Sequence, residues 1–310
     1  FLVQPDDKIV YSQRMDFYGT DAIRRLNADG TPDVGFQEYS GQFISVQLLQ
    51  GDGKIIAGVR LNPDGTVDES FRPEELGGSV AQQNDGKLIT AGRYDSLPYG
   101  VRRLFLDGSL DPSFAPGMGL TVISGVKIER ARLLPNGKIV IAGSFNYIDD
   151  LPRKGIAVLN HDGTPDEGFD AGELLVMPYR DPDLHGHFAQ SDGKIFVNFE
   201  GRLVRLNPDG TEDGTFQYTP ATAGGSVVTG EQGDKLLING PDGLVRVDRN
   251  GTRDFSFQPA VNGRVLFVEP DGKIMVTGDN RSAPGCILTV PSTPFSPAWA
   301  ASPPSISSIP

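Results

Sequence analysis

The chain is poor in the residues that most often announce chemistry. Among 310 residues it has one cysteine, one tryptophan and three histidines. A lone cysteine excludes an internal disulfide. Cys286 sits in the run Gly285 to Val290, which reads as a strand, so it is taken as a buried structural thiol rather than a nucleophile. No Gly-x-Ser-x-Gly or Cys/His arrangement suggests nucleophilic catalysis. Positive charge is also scarce: 28 Lys and Arg against 40 Asp and Glu give a net charge of -12 and no basic cluster. That balance excludes phosphate backbones and anionic membrane surfaces as partners. No apolar run approaches the roughly 20 residues a membrane helix needs, so membrane insertion is not expected. No window longer than ten residues carries a 3.6-residue apolar period, which leaves an all-β chain.

What the chain has is turns, in two alternating sets. Seven turns of the type Asp-Gly-Lys interrupt short apolar runs, ending at Lys8, Lys54, Lys87, Lys138, Lys194, Lys235 and Lys273. Six turns of a second type have a Gly at 30, 65, 108, 163, 210 and 251, then an Asp three residues on and a Phe three residues later. The lysines recur on average about every 44 residues, and propeller blades run about 40 to 50 residues. Asn62-Pro63-Asp64-Gly65 and Asn207-Pro208-Asp209-Gly210 carry the chemistry of a type I turn closed by a left-handed Gly. Flanks such as Lys54 to Gly58 and Lys138 to Ala142 are short, β-branched and bounded by turn residues. Val245-Arg246-Val247 and Val204-Arg205-Leu206 alternate apolar with charged, as an outer strand with one wet face would.

The segment Leu106 to Gly117, followed by Leu134 to Phe145, resembles the delta-60 repeat, a bacterial β-propeller repeat, and weaker copies extend over about residues 1 to 290. The resemblance implies a secreted or surface protein and little about activity. The expected fold is a β-propeller of seven four-stranded blades over 1–290, followed by a Pro-, Ser- and Ala-rich linker or tail over 291–310. The two ends read as those of a segment cut from a longer chain. Blade 2 is expected to be irregular, because only seven residues, Ile55 to Leu61, separate Lys54 from the next turn. Two strands and a turn are not expected to fit in that length.

In a four-stranded meander both sets of turns lie at one end of each blade, and irregular loops project from the other, where repeat proteins usually bind. Candidate ligand-binding residues on that loop face are Tyr94, Tyr99, Tyr147, Asp149, Asp150, Tyr179, Asp181, Asp183, His185 and His187. Tyrosine offers a stacking face, and Asp offers acceptors for hydroxyls, which together suit a glycan or a half-wet protein surface. His185 and His187 could hold a transition metal, although an isolated pair is more often polar lining. The Asp-Gly turns superficially resemble calcium loops, but turn geometry already explains their residues, so no cofactor is assigned and calcium stays an alternative. Sialidase-type Ser-x-Asp-x-Gly-x-Thr-Trp turns are absent, and a single Trp cannot furnish a quinoprotein propeller. The expected function is a non-catalytic extracellular or cell-surface module for adhesion, display or binding of a glycan or protein beside other domains. A carbohydrate-active hydrolase and a structural spacer or filament subunit are the alternatives.

Overall fold

The computed structural model describes residues 1–42, 44–73, 76, 78–92, 100–114, 127–148, 150–172, 188–190, 192–199, 202–222, 226–259, 265–268, 274–277, 286–290 and 307–308. The chain divides into two compact units, Phe1–Glu167 and Gly168–Pro310. Among the described residues every pairing between strands is antiparallel, and each repeat forms its own up-and-down sheet. The first unit holds the sheets of repeats 1 to 4. Repeat 1 has strands Leu2–Val3, Ile9–Arg14, Thr20–Leu26 and Tyr39–Gln42. Repeat 2 has Leu48–Leu49, Ile55–Ile56 and Arg60–Leu61, and repeat 3 has Ser79–Gln82, Leu88–Gly92 and Gly100–Leu104. Repeat 4 has Lys127–Leu133, Ile139–Ser144 and Ile156–Leu159, with a small extra hairpin of Tyr147–Ile148 and Leu151–Pro152. The second unit holds three further sheets, whose middle strands are Ile195–Phe199, Lys235–Gly240 and Ile274–Thr277.

The continuous apolar runs are explained by what covers each sheet. Side chains along a strand alternate between its two faces. In repeat 2, Ile55 and Ala57 pack with Val10, Ile23 and Phe36 of repeat 1. Ile56, on the other face, packs with Leu88 and Leu104 of repeat 3. All three residues are fully buried. The second unit repeats the arrangement: Leu236 and Ile238 pack with Phe196, while Leu237 packs with Ile274. A sheet buried on both faces needs no polar alternation. Truncating one of these isoleucines to Ala would cost about 2–5 kcal/mol.

One expectation is corrected. The seven residues of repeat 2 do accommodate two strands, because each strand shrinks to two residues. Ile55 pairs with Leu61 and Ile56 with Arg60, around a turn in which the Ala57 N–H donates to the Val59 carbonyl at 2.8 Å. Gly58 takes φ +80° at its tip, where a Cβ would lie 3.0 Å from Ile44. Among the described residues two sheets have four strands and five have three. After the third strand of each of repeats 1 to 6 the chain makes one further bridge, such as Leu61 to Val67 or Leu206 to Glu212. The chain then bends, with the N–H of the repeat's Phe donating to the carbonyl of its Asp, as at Phe71 and Asp68 (3.1 Å). The bend sends the Phe into the core.

The residue after that Phe docks on the next repeat's turn. The Gln37 N–H donates to the Asp64 carbonyl at 2.7 Å, and Arg72, Asp170 and Gln217 bond likewise to Asp107, Asp209 and Asn250. The turn glycines are therefore needed twice. Gly65 has φ +89°, and a Cβ there would lie 2.2 Å from the Gln37 carbonyl oxygen; at Gly210 it would lie 2.5 Å from Asp170 backbone. Gly65→Ala is expected to destabilise the protein by about 2–5 kcal/mol in urea unfolding, from left-handed backbone strain plus the clash. Gly51→Ala, where a Cβ meets nothing within 4 Å, should stay within about 0.5 kcal/mol of the parent. Equal losses at both positions would refute the close-approach role.

Candidate functional site

In repeats 1, 2, 3, 5 and 6 a lysine, an arginine, an aspartate and a phenylalanine converge at the turn end of the sheet. In repeat 2, Asp68 Oδ2 accepts from Lys54 Nζ and from Arg60 Nε, both at 2.7 Å. Its Oδ1 accepts from the Ser70 hydroxyl at 2.6 Å. The Arg60 guanidinium lies 4.5 Å from the centre of the Phe71 ring. The set recurs as Lys8, Arg25, Asp33 and Phe36; as Lys87, Arg103, Asp111 and Phe114; and as Lys194, Arg205, Asp213 and Phe216. In repeat 6, Asp254 pairs with Arg246 at 3.0 Å and Lys235 at 4.0 Å. Repeat 4 differs. Val158 stands at the arginine's register, and Lys138 meets Asp166 at 2.6 Å. There the buried Arg153 reaches the same segment from another strand connection, donating to the Glu167 carbonyl at 3.3 Å.

These arginines overturn one sequence expectation. Arg205 and Arg246 do not face water: they are 4% and 8% exposed. Their charge is met by the aspartate eight residues ahead, and their flat faces rest on the phenylalanine. Several also cross to the following repeat. Arg25 Nη1 donates to the Pro63 carbonyl at 2.6 Å, Arg60 to Leu106 at 2.7 Å and Arg103 to His161 at 2.5 Å. Arg205 donates likewise to the Arg249 carbonyl.

The carboxylates are held ionised. The Lys54 ammonium, then Ser70, hold the Asp68 carboxyl far below the ordinary range, against burial. At Asp111 and Asp213 burial is the largest single influence and opposes ionisation, yet the combined Ser or Thr, Lys and Arg partners prevail, and both carboxyls are strongly lowered. Acids tied down in this way are unsuited to proton transfer near neutral pH. The first aspartate of each second-set turn is also used locally: Asp64 Oδ1 accepts from the Thr66 N–H and hydroxyl, and Asp209 does the same for Thr211. The residues that suggested calcium loops thus serve as turn caps. Among the described residues no three His, Cys, Asp or Glu side chains gather as a metal site.

At the loop end, two of the ten sequence-nominated residues are described. Tyr147 stands exposed in the extra hairpin of repeat 4, and Asp150 lies exposed in that hairpin's turn. Tyr94, Tyr99, Asp149, Tyr179, Asp181, Asp183, His185 and His187 lie outside the described residues. A feature the nominations missed lies in repeat 1, between Ile9–Arg14 and Thr20–Leu26. There Phe17 is wholly exposed, with Tyr18 84% and Met15 48% exposed. The tip is nevertheless well fixed: Asp16 Oδ1 accepts from the Tyr18 and Thr20 N–H groups, both at 2.9 Å, and the Met15 N–H donates to the Thr20 carbonyl. Three large apolar residues within one five-residue loop were the available signal.

Five segments, 4–36, 59–71, 83–114, 134–169 and 190–216, match the model of a family described as a domain of unknown function (DUF5122) beta-propeller. The chain is a β-propeller repeat protein. No curated protein matches it. Among solved structures it is similar to an extracellular domain assigned to a hybrid two-component system of B. thetaiotaomicron, at 15% identity and a TM-score of 0.53, over 92% of this chain and 40% of that one. An extracellular domain assigned to a one-component system of the same organism gives 13% identity and 0.53, over 88% and 40%. YCF48 bound to D1 peptide gives 13% and 0.50, over 97% and 98%. At these identities the likeness is one of fold. The chain spans 40% of the length of the first two structures.

The lowered carboxyls make a pH prediction. A carboxyl whose folded pKa is depressed contributes stability that is complete above the unfolded value, about 4, and is lost as pH falls toward the folded one. Asp68→Asn should cost about 3 kcal/mol at pH 7, because it strands two cations. In urea unfolding, its deficit against the parent should narrow steadily below about pH 4. A deficit that is the same at pH 7 and pH 3 would show that the ionised carboxylate is not the source.

Proposed function

We propose that this chain is the non-catalytic binding propeller of an exported protein, and that it engages its partner through the irregular-loop end. The observation that carries the reading is the tip of repeat 1. A wholly exposed Phe17 beside Tyr18 and Met15, on a backbone pinned by Asp16, presents rigid aromatic anchors of the type that dominate protein interfaces. Order in the free state lowers the entropy lost on binding. The partner is a protein segment, and the peptide recorded on the similar YCF48 propeller supports that choice. The exposed Tyr147 with Asp150 keeps a glycan as the second reading, since a ring and a carboxylate together suit hydroxyl-rich ligands.

Against catalysis stands the use made of the described carboxylates: Asp33, Asp68, Asp111, Asp166, Asp213 and Asp254 each accept from a lysine or an arginine of the scaffold. For export, the resemblance to a repeat found in large secreted and surface proteins agrees with similarity to two extracellular domains.

The test is selection of a phage-displayed peptide library and a glycan array on the immobilised protein. Selected peptides should lose at least about 30-fold in affinity to Phe17→Ala/Tyr18→Ala, as hot-spot losses of 2 kcal/mol or more require. Glycan binding lost in Tyr147→Ala instead would favour the second reading. Ligands indifferent to all three changes would place binding elsewhere.

A further inference from the structure

Beside the aromatic tip of repeat 1 runs an open sheet edge. The fourth strand of that repeat, Tyr39–Gln42, pairs with Thr20–Leu26 on one side and with no strand on the other. Among the described residues of the first unit no other sheet has four strands.

Which backbone groups face outward follows from two hydrogen bonds. In an antiparallel strand a residue's N–H and C=O point to one side, and successive residues alternate. The Thr20 carbonyl accepts from the Met15 N–H, so Thr20 faces the second strand. The Arg25 carbonyl accepts from the Asp33 N–H, so Arg25 faces the opposite side. By alternation Asp21 and Ile23 also face the fourth strand, where their partners are Gly41 and Tyr39. Ser40 and Gln42 therefore turn their N–H and C=O groups away from the sheet. Both residues are exposed, and among the described residues no backbone group bonds to these.

Proteins commonly guard such edges with charge, proline or a bulge. Here the strand is Tyr-Ser-Gly-Gln, uncharged, without proline and in unbroken register. The charges beside it are paired, Glu38 with Arg24 and Asp21 with Arg14. A row of donors and acceptors at strand spacing is complemented by another extended backbone, and a glycan's hydroxyls have no such repeat. The edge also leads to the tip: Gln42 pairs with Thr20, which follows the loop of Phe17 and Tyr18 directly. Two copies pairing antiparallel about Gly41 would carry their tips to opposite ends of the joint, so the placement favours a different chain. We propose that the partner's segment binds extended, as a fifth strand along Tyr39–Gln42, exchanging backbone hydrogen bonds with Ser40 and Gln42 and directing an apolar side chain to the tip. This rests on the tip being the binding site and adds the form in which the partner binds.

The probes are the peptides selected from the phage-displayed library. Ser40→Pro removes one outward N–H at a place where edge strands tolerate proline, and it leaves the bonds to Asp21 and Ile23 intact. It should weaken the peptides at least about tenfold, since a bond is lost and the ring stands in the added strand's path. Should this variant fail to fold, amide hydrogen exchange on the unaltered protein decides: saturating peptide should slow Ser40 and Gln42 at least about tenfold. Peptides that need Phe17 and Tyr18 yet bind Ser40→Pro unchanged, or leave both amides unprotected, would overturn strand addition while the tip reading stands. Peptides that protect both amides and ignore Phe17→Ala/Tyr18→Ala would support strand addition and refute the tip. A library without binders overturns the proposal, as does a dimer of the free protein that Ser40→Pro dissociates.

Discussion

One carboxylate shared by two cations holds the turns of repeats 1, 2, 3, 5 and 6 in place. Asp68 accepts from Lys54 and Arg60, the same aspartate accepts from a lysine and an arginine in repeats 1, 3 and 5, and in repeat 6 Asp254 accepts from Arg246 with Lys235 4.0 Å away. The lysine comes from one turn of the sheet, the aspartate from the other, and the arginine from the strand leading into the second. A single carboxylate thereby fixes three separate pieces of chain. The arginine then leaves its own repeat and donates to a carbonyl in the next one, while its face covers the repeat's phenylalanine. Ion pairs in the open are worth little, but partly buried, hydrogen-bonded networks with restrained geometry are worth more.

This link explains why the turns are uniform where the loops are not. A turn that must present a carbonyl to a neighbour's guanidinium, and let a neighbour's backbone pass within a few ångströms of its glycine, tolerates little change. Loops at the other end of the sheets are under no such demand. They carry the exposed aromatic tip at Phe17 and Tyr18, together with Tyr147. Scaffold and recognition are thus divided between the two ends of each sheet.

Much of the fold was legible in the sequence. The paired turns, their glycines and the phenylalanine that closes each repeat led directly to antiparallel sheets and to a propeller. The arginines were not legible. Val245-Arg246-Val247 looks the same whether its arginine faces water or a carboxylate, and the deciding residue, Asp254, lies in another turn. Repeat 2 was misjudged for a different reason: strand length was taken as given, whereas Gly58 lets two-residue strands pair around a minimal turn. Of the candidate site, Tyr147 and Asp150 lie exposed in the extra hairpin of repeat 4. Phe17 was not legible, because a phenylalanine's exposure cannot be read from its neighbours in sequence.

The most direct test of the arginine link is native-state hydrogen exchange on Arg60→Met, which keeps the aliphatic bulk and removes the guanidinium. Arg60 belongs to repeat 2, yet its Nη1 donates to Leu106 in the turn of repeat 3. If the arginines couple successive repeats, the amides of Phe105, Gly108, Ser109 and Asp111 should lose protection together with those of repeat 2. Loss confined to repeat 2, with the turn of repeat 3 as protected as before, would contradict that coupling.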